Sequence, residues 1–414
     1  MKKAILFLVG LLVFQTICSQ NKERIDWNAD LDYLAKELAE KHYDFFTVQS
    51  KADFLSGIDA IKAESKDLDD FHVALKVQQL IARAGDSHTK LHIEQLLDKD
   101  QILPVYLLWT SDGLHVMHTT TGNEELLGRQ ILSINNIPMV TIIDSLSTIF
   151  TIDNKAIVKS AIPGLLPSMQ VLEFFGFANG GQVELTLDQN ETYQLKSSAM
   201  NGMNVVSFKP DSVAFSMKNQ RMFFTDSYYP DEKIYHMLYN VCWSKEIESE
   251  FGSKEKAGNL PSFKEFEEKA FNTLENEPVD KIIFDLRYNG GGNSSQGTRF
   301  IEKLAEFLKV HPKIKTYVVI GRSTFSSAIL NAMDFKRLTN AVFVGEETAG
   351  KPNHFGEVRK FQLPNSKLDV SYSTKYFQRT DEDVNTIAPD VVVEMSFSDF
   401  VRGIDPVYEW IKNK

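Results

Sequence analysis

Three short stretches carry residues that could attack or polarise a carbonyl. GRSTFSSAIL (321–330) sets Ser326 and Ser327 where an apolar strand gives way to a helical pattern. A serine delivered there sits among unpaired backbone N–H groups and positive potential, which suit a developing oxyanion. Serine is also among the commonest helix caps, so these residues alone leave both hydroxyls open between nucleophile and cap. DLRYNGGGNSSQG (285–297) puts three glycines after a second apolar strand, IIFDL. Backbone amides can approach a reacting carbonyl there without interference from a Cβ. Neither GxGxxG nor GxxxxGKS/T is met, so the glycines do not read as a phosphate cradle. VGEETAGKPNHFGE (344–357) carries Lys351, a candidate general base where partial desolvation lowers its pKa.

These stretches need a scaffold, and the chain supplies strand–helix alternation from about Val205 onward. KIIFDLR reads as a buried strand, TRFIEKLAEFLK as an amphipathic helix, KTYVVIG as a strand, SSAILNAMDFKRL as a helix and AVFVGEE as a strand. That order predicts an α/β domain with a partly parallel sheet over residues 205–414. Residues 101–200 differ: LPVYLLW, GLHVMHTT, QILSIN and QVELTL are short β-rich runs separated by turn residues. LLGRQILSINNIPMVTIIDSL resembles the core of a PDZ domain, a fold that binds extended peptide termini by strand addition. Residues 26–100 form a helical domain, with Leu31, Leu34, Leu38 and Phe45 on one apolar stripe.

At 414 residues there is room for several cores. A formal charge of −11 with no basic run argues against a nucleic-acid partner. Residues 1–19 read as a signal peptide: Lys2 and Lys3 precede an apolar stretch, Ala4–Phe14, too short to span a bilayer. Export to a periplasmic or extracellular site is expected, with a lipid anchor at Cys18 as the minority alternative. Once Cys18 is removed only Cys242 is left, in apolar surroundings that favour an inert thiol. HExxH is absent, and the one i, i+4 histidine pair, His88 and His92, lies in SHTKLH, which reads as a turn entering a strand rather than a helix face, so neither metal nor cofactor is expected.

Together the three stretches resemble the S41 family of serine peptidases, the tail-specific or C-terminal processing proteases and their tricorn-core relatives. The family's D-x-R-x-N-x-G-G is matched by Asp285, Arg287, Asn289 and Gly291. Its T-x-S-A-like turn is matched by Thr324, Ser326 and the residues around them, and its V-G-E-x-T-x-G-K by Val344 through Lys351. The resemblance implies a crotonase/ClpP-like α/β catalytic domain behind the helical and PDZ-like parts. It makes Ser326 the nucleophile and the N–H groups of Ser327 and of Gly291 or Gly292 the oxyanion donors. Two general bases stay open. Processing proteases use the Lys of T-x-G-K, here Lys351, whereas tricorn-like members use a His, and GDSHT (85–89) offers His88 with Ser87 as companion. A neutral imidazole suits removal of a serine proton near pH 7. The supporting acid, counted back from Pro389–Asp390, falls on Asp383, while Glu382 matches the family's acid in residue type, and His354 and Glu357 could equally line the site. The function implied is a secreted serine endopeptidase acting on peptides or unfolded proteins, with tail specificity resting on the PDZ-like part. Two alternatives stand beside it: a retinoid-binding-like module of the same fold holding an apolar ligand, and an esterase using the same serine.

Overall fold

The computed structural model describes residues 25–200 and 204–414. Residues 1–24, which include the expected signal peptide and Cys18, and residues 201–203 lie outside that description. Among the described residues no helix is long and apolar enough to cross a membrane.

The chain opens with three helices, α1 (Trp27–Lys41), α2 (Lys51–Ser65) and α3 (Asp70–Ala82). Each begins on a residue whose side-chain oxygen takes an otherwise unpaired N–H: Asp26, Ser50 and Asp69 accept from Ala29, Asp53 and His72. Their apolar stripes meet through Leu34, Leu38, Phe54, Ile58, Val77 and Ile81. After α3, Gly85 turns the chain with φ +80°, and a Cβ there would meet Val48 Cγ2 at 2.6 Å. Glycine is therefore required at the entry to the Asp86–Thr89 turn. A two-residue strand, β1 (Lys90–Leu91), follows.

The middle of the chain holds two small antiparallel sheets. Strands β2 (Val105–Thr110), β3 (Gly113–Thr120), β4 (Ile131–Ile134) and β5 (Ile137–Pro138) come first. Helices α4 (Met139–Leu146), α5 (Lys155–Leu165) and α6 (Met169–Phe174) follow. Strands β6 (Gln182–Leu187), β7 (Thr192–Lys196) and β8 (Val205–Ser207) complete the sheets β2-β3-β8 and β5-β4-β6-β7. In β6 every second residue is buried, as a one-sided sheet requires.

The C-terminal half is built on a six-stranded sheet. It contains β9 (Phe224–Tyr229), β10 (Ile234–Tyr239), β11 (Lys281–Asp285), β12 (Lys315–Ile320) and β13 (Val342–Gly345). Helix α7 (Phe263–Asn276) precedes β11, α8 (Ser295–Val310) joins β11 to β12, and α9 (Ser327–Leu338) joins β12 to β13. The hairpin β14 (His354–Gln362) and β15 (Asp369–Phe377) comes next, then β16 (Val391–Val392) and α10 (Pro406–Lys412). The order is β16-β13-β12-β11-β10-β9, parallel throughout except for β9. Both faces are covered: Phe284 and Val318 pack on Phe300 of α8 and Phe335 of α9, while Ile283 and Val319 pack on Val407 and Ile411 of α10. Burial on two sides explains why these strands read as unbroken apolar runs.

Two consequences position the site. Parallel strands end on one edge, so the loops after β11, β12 and β13, which carry the glycine turn, Ser326 and Lys351, share that edge. The hairpin is also stitched to the N-terminal part: β15 pairs with β1, Lys90 opposite Ser371 and Leu91 opposite Val370. The segment after His88 is thereby fixed to the segment after Lys351.

Candidate active site

Ser326 precedes α9 with φ +53° and ψ −122°, and its side chain caps nothing on the helix. A non-glycine residue held at positive φ is strained and needs its surroundings to hold it there. They do so on both sides. Phe325 N–H donates to Asn289 O at 3.0 Å, and Ile329 N–H to Ser326 O at 2.9 Å. Buried Thr324 donates its hydroxyl to Leu286 O at 2.8 Å. The freed Ser326 hydroxyl instead meets His88, with Oγ 3.0 Å from Nε2. Ser327 Oγ donates to Gly292 O at 2.7 Å, which ties the serine turn to the glycine turn.

The glycine turn requires its glycines. At Gly291, φ +105°, a Cβ would lie 2.8 Å from Ser326 Cβ and 3.0 Å from Ser327 N. At Gly292, φ +133°, a Cβ would collide with Cys242 O at 2.4 Å. The Gly291 N–H is already given to Asn289 Oδ1 at 2.9 Å. No described hydrogen bond takes the N–H of Gly292 or Ser327. Cys242 is buried beside this turn, and burial pushes its thiol up to about 12.

His88 is held by its neighbours. Its N–H donates to Asp86 Oδ1 at 2.9 Å, and its Nδ1 lies 3.7 Å from that oxygen. The ring stacks on Phe325 at 4.6 Å and faces His354 at 5.8 Å. Asp86 is only 3% exposed. Its Oδ2 accepts from His42 Nε2 at 3.0 Å, Ser373 Oγ at 2.7 Å and Thr89 Oγ1 at 2.5 Å. His42 Nδ1 accepts the Asp44 N–H at 3.0 Å, so its proton resides on Nε2 and points at the carboxylate. Burial alone would raise the Asp86 pKa, but the donors from His42, His88 and Ser373 outweigh it and hold the carboxyl far below the usual range. The result is an ionised carboxylate set directly behind His88.

The other candidates take different places. Lys351 Nζ is 3.2 Å from Asp153 Oδ1. Ser87 donates its hydroxyl to Asp153 as well, so both belong to a polar cluster beside His88 rather than to the Ser326–His88 contact. Asp383 is exposed, and no described contact links it to His88. Its loop packs on the segments either side of Lys351, through Asn353 Nδ2 to Thr380 O at 2.9 Å and Thr386 Oγ1 to Thr348 O at 2.9 Å. The acid behind His88 is Asp86, two residues upstream of it. Its signal was local: Asp, His and Thr spaced i, i+2 and i+3, with the aspartate receiving both the His88 N–H and the Thr89 hydroxyl. His354, which begins β14 after Lys351, also lies beside the site. Its Nδ1 faces Lys351 O at 2.9 Å, and burial, with the His88 charge second, pushes its pKa down to about 4. Among the described residues no cluster of His, Cys, Asp and Glu could hold a metal ion.

The sheet edge thus brings together a strained serine, a histidine within reach of its hydroxyl and glycine amides, the groups that acyl transfer through a hydroxyl requires. Solved structures share the architecture. Mature CPAF complexed with lactacystin aligns with 93% of this chain and 97% of its own, at 12% identity and a TM-score of 0.62. Mature CPAF alone aligns with 94% of this chain and 95% of its own, at 12% identity and a TM-score of 0.58. The photosystem II D1 C-terminal processing protease aligns with 89% and 93%, at 13% identity and a TM-score of 0.37. The chain thus shares its fold with mature CPAF. No family model and no curated protein matches the sequence.

Proposed function

We propose that this chain is a serine peptidase in which Ser326 is the nucleophile, His88 the general base and Asp86 the residue that orients His88. The observation that carries the proposal is the 3.0 Å approach of His88 Nε2 to Ser326 Oγ, with the Asp86 carboxylate behind the ring. Ser326 Oγ attacks the peptide carbonyl carbon as its proton passes to His88 Nε2. The carbonyl oxygen, now anionic, is met by the N–H groups of Gly292 and Ser327 at the positive end of α9. Collapse breaks the C–N bond, the leaving amine takes the proton from His88, and water releases the acyl group by the same route. Lys351, engaged with Asp153, is a donor in this scheme.

With this reading go export by the N-terminal segment and peptide or unfolded-protein substrates. Strand, Asn-turn and helix in 131–146, with Asn135 and Asn136 at positive φ, support the PDZ-like reading of the middle region and the tail specificity attached to it. The test is hydrolysis of a denatured protein such as reduced casein. Wild-type protein should degrade it and Ser326→Ala should not; equal rates from the two would overturn the assignment.

A further inference from the structure

The space directly over Ser326, His88 and Lys351 measures about 10 Å³, too little for a substrate side chain. A second cavity, about 360 Å³, lies where the middle region meets the active-site edge of the large sheet. One wall comes from β2 and β3 with α5 (Tyr106, Trp109, Met117, Pro163) and the opposite wall from the sheet edge (Tyr288, Ile320). Tyr288 sits between Arg287 and the glycine turn. Ser323 lies three positions before Ser326, and Glu346 leads into the Lys351 loop; both line the cavity. Each of the three loops that build the site therefore shows a face to this space.

The charged groups of the lining are already paired. Arg322 holds Glu346 at 2.7 Å and donates to Trp109 O at 2.7 Å. Lys159 holds Glu394 at 3.0 Å. Arg287 holds Asp285 at 2.7 Å and Asp405 at 3.0 Å. Desolvation, with Arg221 second, lowers the His118 pKa, and its Nδ1 is 2.8 Å from Ser207 Oγ. A carboxylate entering the cavity would find no unpaired cation, while an apolar group would find aromatic, Met and Pro side chains.

We infer that this cavity is a substrate subsite for uncharged apolar side chains inside an extended peptide, and that it does not read a chain-terminal carboxylate. The inference rests on the peptidase reading for its substrate class, and its test is binding, so that the two can fail separately. Two fluorescein-labelled 12-residue peptides are titrated into Ser326→Ala protein. One carries two central Leu residues and the other Ser in their place, each as free acid and as C-terminal amide. The Leu peptide should bind about tenfold tighter, the worth of roughly one buried apolar side chain, and amidation should leave the Leu-over-Ser ratio unchanged. Ser160→Trp, at an exposed position on the cavity rim, and Met117→Trp, from within, should each erase the Leu preference, with thermal melts confirming the fold. A Leu preference that survives in either folded variant overturns the subsite, as does equal binding of the Leu and Ser peptides. A Leu-over-Ser ratio that disappears on amidation overturns the exclusion of the terminal carboxylate from the cavity. A Leu peptide that binds as expected yet is left intact by the wild-type protein counts against the peptidase reading alone.

Discussion

His88 Nε2 and Ser326 Oγ lie 3.0 Å apart across 238 positions of sequence. The short β1–β15 pairing holds the histidine turn against the sheet edge from which the serine projects. If this contact is the catalytic one, His88→Ala should lower peptide hydrolysis by roughly 10⁴–10⁶-fold, the scale seen when a triad base is removed. The double variant Lys351→Met/Asp153→Asn, which removes the lysine without stranding a buried carboxylate, should lose less than about tenfold. Initial rates on one fluorogenic peptide decide it. A double-variant loss as large as that of His88→Ala would make Lys351 the base.

Asp86→Asn should cost kcat roughly 10³–10⁴-fold with little change in KM, because the ring loses the charge that stabilises its protonated form. The same change replaces an acceptor facing His42, Thr89 and Ser373 with an amide that cannot serve all of them. Stability should fall by about 1–3 kcal/mol for a buried donor left unpaired. Asp383→Asn should change neither. Comparable losses from both aspartates would contradict the placement of Asp86.

Gly291→Ala introduces a methyl 2.8 Å from Ser326 Cβ at a φ that disfavours any side chain. The serine turn must shift to relieve it. Activity should drop at least a hundredfold while the folded state persists, read by circular dichroism beside peptide hydrolysis. Gly290→Ala, where a Cβ meets nothing within 4 Å, is the control and should stay near wild type.

Stability should fall in two separate pH windows. Burial first, then the His88 charge, holds the His354 pKa down at about 4, below its unfolded value near 6.5. Between those values the unfolded chain binds the extra proton, so stability is full above about pH 6.5 and declines toward pH 4. His354→Phe should flatten that slope. Asp86, held low, and Asp405, at about 2 beside Arg287, act below the unfolded carboxyl value near 3.9. Their contribution is present above it and is lost as pH falls further. Urea denaturation at pH 7, 5, 4 and 3 separates the windows; a His354→Phe curve parallel to wild type from pH 7 to 4 would contradict the first.

The order of elements was legible because periodicity and glycine punctuation are local. KIIFD and KTYVVI read as buried strands, and the glycine turn and GRSTFSS fall at the ends of parallel strands as expected. The carboxylate that faces His88 was not legible, since an aspartate in a tight turn looks like a turn residue until partners from residues 42 and 373 arrive. Nor could the sequence show which basic group reaches Ser326. That depends on the two-residue β1 strand finding β15 nearly three hundred residues away, and register at that separation leaves no periodic trace.

The most direct measurement is labelling with a fluorophosphonate probe, followed by peptide mapping. Its phosphorus is attacked only by a serine whose proton has somewhere to go. The account predicts one adduct per chain on Ser326, absent in Ser326→Ala and slowed at least a thousandfold in His88→Ala. An unmodified Ser326, or labelling at full speed without His88, would contradict it.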